Sequence, residues 1–137
     1  MFTITAKGVY GLTAMTELSK NFQNGPLQIK EIAESYSIPQ HYLEQILVAL
    51  KKGGLVESFR GAQGGYALAK SPEKIRVIDI LTLLEGKLEV SPESRGASVL
   101  SFFWDNLERL IGSYLEKGLD ELVQEIENSR TQIFYSI

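Results

Sequence analysis

A mainly α-helical fold carrying one small β-hairpin is what three features of this 137-residue sequence predict. Four segments before residue 86 repeat apolar residues at helical spacing. Two short alternating runs flank a glycine-rich stretch at residues 60–65. From Ser98 to about Asn128 a last segment keeps one apolar stripe. Hydrophobic residues at 44% and charged residues at 23% are ordinary for a folded chain and exclude broad disorder. Cysteine is absent, which removes disulfides, thiolate metal sites and cysteine-ligated iron–sulfur clusters. With one histidine, His41, an all-protein transition-metal site is not expected either, and no cofactor is called for. No apolar run reaches the length of a membrane span and no signal segment stands out, so the expectation is a cytoplasmic protein without membrane contact.

The first helix is expected over residues 6–22, with Thr5 as its cap and Val9, Leu12, Met15 or Thr16, Leu18 and Phe22 near one face. Gly8 and Gly11 weaken it and suggest close packing. Asn24-Gly25-Pro26 stops it. A short second helix follows from Gln28 to Ser35, with Ile29, Ile32 and Ala33 inward. After the turn at Ser37-Ile38-Pro39, a third helix runs to Lys52 on a stripe of Leu43, Ile46, Leu47 and Leu50. Two helices joined by a short turn, the second with a polar outer face, form a helix-turn-helix pattern. Gly53-Gly54 caps the third helix. The runs Leu55–Phe59 and Tyr66–Ala69, around Arg60-Gly61-Ala62-Gln63-Gly64-Gly65, read as a hairpin with a long tip, placed where a wing would sit. Val77 to Glu85 forms the fourth helix, ended by Gly86.

Three parts result: residues 1–86, a Pro-, Ser- and Gly-bearing loop at 87–97, and 98–137. In the last part Phe103, Leu107, Leu110, Ile111, Leu115, Leu119 and Leu122 recur at spacings of three and four. A helix of this length would span more than about 40 Å, too long for so small a domain to cover, so it is expected to cross a partner. The stripe shifts by one position between Leu110 and Leu115, which argues against a strict coiled coil. The tail TQIFYSI (131–137) alternates like a strand.

Charge is uneven. Residues 1–70 carry seven basic side chains against five acidic, and residues 71–137 carry seven against twelve. A basic face on an acidic molecule permits nucleic-acid binding. Arg60 sits where a wing tip could enter a minor groove. Gly61, Gly64 and Gly65 would permit tight turning and close approach to phosphates. A plain glycine-rich surface turn is the simpler alternative. A nucleotide-phosphate loop is not, because its Lys-Ser/Thr is missing and a strand follows. On the third helix Gln40, His41 and Tyr42 lie at the end that meets base edges, Glu44 could accept from a cytosine amino group, and Lys51 and Lys52 suit phosphates, as does Lys7. An ordinary solvated helix face is the competing reading. No nucleophile–base–orienter pattern stands out, so no enzyme is expected.

Taken together, Thr5–Leu12, Ile32-Ala33, Tyr42–Leu47, Gly54–Val56 and Arg60–Ala69 resemble the Rrf-two winged-helix transcription regulators, the IscR/NsrR/CymR group, over roughly the first 85 residues. The resemblance implies a winged helix-turn-helix plus a long dimerisation helix, and a homodimer, most simply a repressor, on a palindromic double-stranded operator. Tyr10, Gln40, His41, Tyr42, Glu44, Lys51 and Arg60 would face DNA. Cluster-bearing members carry three cysteines in the loop before the long helix; residues 87–97 have none, which points to the cluster-free, CymR-like sub-type. That sub-type implies control of cysteine or sulfur metabolism and a cysteine synthase-like enzyme as a partner gripping the terminal Ile137. A terminal strand packing on the dimer is the plainer reading of the same tail. Two other classes stay open: an interaction module acting through the long helix or tail, and a small-molecule sensor with a pocket lined by Leu84, Leu88, Phe103 and Trp104.

Overall fold

The computed structural model describes residues 3–90 and 99–136; the loop at 91–97, Ser98 and the terminal Ile137 fall outside the described residues. Along the chain come α1 (Ala6–Lys20), α2 (Ile29–Tyr36), α3 (Gln40–Lys52), β1 (Val56–Phe59), β2 (Gly65–Leu68), a 3₁₀ turn (Pro72–Lys74), α4 (Val77–Glu85), α5 (Ser101–Tyr114) and α6 (Leu119–Ser136). The mainly helical fold with one hairpin is as the sequence predicts.

Thr5 caps α1, its Oγ1 accepting from the Lys7 N–H at 3.3 Å. The buried side of α1 differs from expectation. Gly8, Gly11, Ala14, Met15 and Leu18 face inward, whereas Val9 is 52% exposed. The glycines explain the rotation. A Cβ on Gly11 would collide with Leu84 of α4, and one on Gly8 would press on Glu85, so α4 lies directly on the α1 backbone. The Glu85 carboxylate also accepts from the Thr5 N–H and, at 3.0 Å, from the Thr5 hydroxyl.

Ser37, in the left-handed region at φ 54°, ends α2 and lets α3 start three residues later. Leu43, Ile46, Leu47 and Leu50 of α3 are fully buried and form the centre of the core with Met15, Ile32, Ile75 and Ile80. Each such side chain contributes about 1.5–3 kcal/mol of burial. Glu17 accepts from the Tyr36 hydroxyl, tying α2 to α1. That hydrogen bond, with burial, pushes the Tyr36 phenol above its ordinary pKa.

The wing is antiparallel, pairing Val56 with Leu68 and Phe59 with Gly65. Leu27 adds a third strand position: Leu27 and Tyr66 exchange N–H···O bonds of 2.8 Å each. Gly65, at φ 143°, is required there because a Cβ would collide with the Leu27 carbonyl.

The last third of the chain corrects the single long helix. The chain breaks at Leu115–Gly118 into α5 and α6, and the shift in the apolar stripe marks the place. The elbow docks on the start of α4. There the free N–H groups of Val77 and Ile78 donate to the carbonyls of Lys117 (3.0 Å) and Leu115 (2.8 Å), and Leu119 N–H donates to Ile75 O at 2.8 Å. Leu119 is therefore at 0% exposure in the protomer core, and Leu122 packs partly against it; Leu119 has no surface left for dimerisation. The tail through Ser136 continues α6 and is not a strand. By contrast, α5 has no buried residue: Phe103, Leu110 and Tyr114 are 50%, 68% and 69% exposed, with Leu107, Ile111 and Leu115 half-buried. Of the residues expected to line a small-molecule pocket, Leu84 packs against Gly11 of α1. An apolar cavity of about 280 Å³ lies between α1, α4 and α6, lined by Ile4, Val9, Leu12, Leu81, Leu122 and Ile126.

Candidate nucleic-acid interface

The outer face of α3 carries no core residue. Gln40, His41, Glu44, Gln45, Val48, Lys51 and Lys52 are all exposed. His41 and Gln45, one turn apart, hold their Nε2 atoms 3.3 Å from each other, the amide donating to the imidazole. Tyr42 is half-buried. Its ring meets Tyr10 of α1 edge-on, centroids 5.8 Å apart at 81°. This pair fixes the start of α1 against the first turn of α3, with half-buried Lys7 one turn before Tyr10 on the same face.

A second contact joins α3 to the wing: Lys51 Nζ donates to Ser58 Oγ of β1 at 2.6 Å. Beyond it Phe59 is 47% exposed and Arg60 stands exposed at the tip. Gly61, at φ 98°, makes the turn, which Gly64 closes by donating its N–H to Gly61 O at 3.0 Å. Gly64 is itself buried, and a Cβ there would collide with the Phe59 carbonyl. Its role in the wing is therefore to close the tip, and its amide is already engaged. At the other side of the tip, Gln28 Nε2 donates to Ala62 O at 3.2 Å.

Two contacts thus link the elements that carry the sequence-derived residues: Tyr10–Tyr42 joins α1 to α3, and Lys51–Ser58 joins α3 to the wing. Ser58 and Gln28 were not among those residues. Ser58 has a local signal, a polar residue in a strand one short loop after a helix rich in lysine. Gln28 has none, because its partner is 34 residues away.

A polar helix face at the second position of a helix-turn-helix, joined to a wing with an arginine at its tip, is the architecture of a winged-helix DNA-binding transcription regulator. A family model, Rrf2, described as an iron-dependent transcriptional regulator, matches residues 4–128, and the chain belongs to this family. It is 47% identical over 85 residues to the transcriptional regulator CymR of Bacillus subtilis, a match spanning 62% of each chain and so less than two-thirds of that regulator. It is 33% identical over 132 residues to the regulator IscR of Klebsiella pneumoniae, covering 90% of this chain and 81% of that one. Among solved structures, that of CymR, the global cysteine regulator of B. subtilis, matches with a TM-score of 0.84 at 36% identity over 91% of this chain and 98% of the other. The T. potens IscR structure matches at 0.79 and 38% identity, over 93% and 90%. The protein is a transcription regulator rather than an enzyme. Its residues do not fit the iron group that the family description implies: the sequence has no cysteine, and the described residues bring no three His, Asp or Glu side chains together.

Proposed function

We propose that two copies of this chain bind a palindromic operator as a sequence-specific repressor. Each α3 would lie in a major groove, with Gln40, His41, Tyr42 and Glu44 at base edges. Arg60 would enter the flanking minor groove, while Lys7, Lys51 and Lys52 hold phosphates. The observation that supports this reading is the Lys51–Ser58 hydrogen bond, which joins the exposed face of α3 to the strand that leads to Arg60. The dimer is supported by two apolar surfaces left open among the described residues: the exposed stripe of α5 and the groove between α1 and α6. Similarity to CymR supports genes of cysteine or sulfur metabolism as targets.

The test is selection of genomic fragments by the purified protein, followed by footprinting of the enriched fragments. An inverted repeat protected over two helical turns is the expected result. Enrichment no better than competitor DNA would overturn it.

A further inference from the structure

The wing carries its reader, Arg60, on a glycine-bearing tip, and that tip is held by a side chain from a different element. Gln28 occupies the cap position of α2 with extended backbone (φ −78°, ψ 144°), yet it makes no capping hydrogen bond to its own helix. A Ser, Thr, Asn or Asp would serve α2 better at this position. Its amide instead crosses to the carbonyl of Ala62, two residues after Arg60. A residue that breaks a local rule while making one specific distant contact marks a functional constraint.

The other restraints on the wing lie elsewhere. The Leu27–Tyr66 pair holds β2 near its start, Lys51–Ser58 holds β1, and Gly64–Gly61 closes the tip upon itself. Among the hydrogen bonds of the described residues, Gln28–Ala62 is what ties the tip to the helix-turn-helix. We infer that Gln28 is a positioning residue that sets where Arg60 stands relative to α3, and so matches the minor-groove contact to the major-groove register. This rests on the DNA-binding reading above.

Two substitutions test it on the full-length protein with its selected operator. Gln28→Met keeps the length of the side chain and removes the donor. Gln28→Ser removes the tether while supplying a better helix cap. Both are expected to lower operator affinity about three- to tenfold, the range of one surface hydrogen bond, and to flatten preference at the flanking base pairs. Gln28→Ser should at the same time melt no lower than the wild type, a pairing of signs that a purely structural role cannot produce. Combined with Arg60→Ala, either change should add nothing further, because the group being positioned is gone. In the free protein, ¹⁵N relaxation should show faster motion at residues 61–64 in both variants. Losses that add to that of Arg60→Ala, or unchanged binding by both variants beside a weakened Arg60→Ala, would overturn the tether alone. Wild-type binding by Arg60→Ala would overturn the tether together with the wing's reading role.

Discussion

Single side chains divide the binding energy of this surface into parts that can be measured separately. Arg60 is exposed at the wing tip, where the proposed minor-groove contact would respond to groove width. Arg60→Ala is expected to weaken operator binding and to erase preference at the flanking base pairs, read by competition against operators with altered flanks. Lys52, exposed at the end of α3 and without a contact to the wing among the described residues, suits a phosphate, so Lys52→Ala should weaken all sequences alike. It should also reduce the slope of log affinity against log salt by about one unit for each contact removed. Equal losses on every sequence for both variants would show that Arg60 reads nothing. Gly65 tests the scaffold. A Cβ there meets the Leu27 carbonyl and the backbone holds φ 143°, so Gly65→Ala should destabilise by about 1–3 kcal/mol and weaken DNA binding through a displaced wing. A melting curve and a binding isotherm on the same sample check this. The importance of the 60–65 segment was legible in the sequence because its signal is local: an arginine, then glycines between two alternating runs. The division of labour among the glycines was not. It depends on the Leu27 carbonyl for Gly65 and the Phe59 carbonyl for Gly64, and spacing alone does not reveal which carbonyl a turn will meet.

At the level of elements, the helix-turn-helix, the hairpin and α4 follow from patterns of four to thirteen residues with their own stop signals, and the structure places them within a residue or two of expectation. The arm was harder to read. Apolar residues at helical spacing continue through Leu115 and Leu119, so periodicity alone runs one helix over both. The break is fixed by carbonyls that periodicity does not see, those of Leu115 and Lys117 on the first turn of α4. The tail alternates over seven residues, but extending an existing helix adds a hydrogen bond for each residue fixed, whereas a new strand needs an edge to pair with. The start of α4 also carries a pH signature. Burial pushes the Asp79 carboxyl up, but hydrogen bonds from the Arg76 side chain and backbone N–H outweigh it and hold the group below the usual carboxylate range. A folded-state pKa below the unfolded value of about 3.9 means that this stabilisation is complete above that pH and is lost as pH falls through the folded value. Asp79→Asn should therefore lower the urea midpoint at neutral pH, with the gap from wild type closing below about pH 4. A gap that stayed constant with pH would assign the contribution to something other than the charge.

For the whole molecule, the proposed dimer would separate assembly, on the acidic arm, from recognition, on the more basic winged unit. Leu110 is 68% exposed, so Leu110→Glu should leave the protomer's melting temperature nearly unchanged while shifting sedimentation from dimer to monomer. Operator affinity should then drop by about 100-fold or more, with protection shrinking to a half-site, because two linked sites bind far more tightly than one. A Leu110→Glu protein that still sedimented as a dimer would move the interface off α5. The elbow at Leu115–Gly118 gives this arrangement a mechanical consequence. The 14 residues of α5 make a rod of about 21 Å clamped at one end by backbone bonds to α4. A turn of only 10° at the clamp would carry the far end by roughly 4 Å, about the rise of one base pair along DNA. In the proposed dimer, paired along the α5 stripe, the clamp angle would set how far apart the two reading heads stand. A few altered bonds at the start of α4 would be enough to put the protein out of step with its own operator.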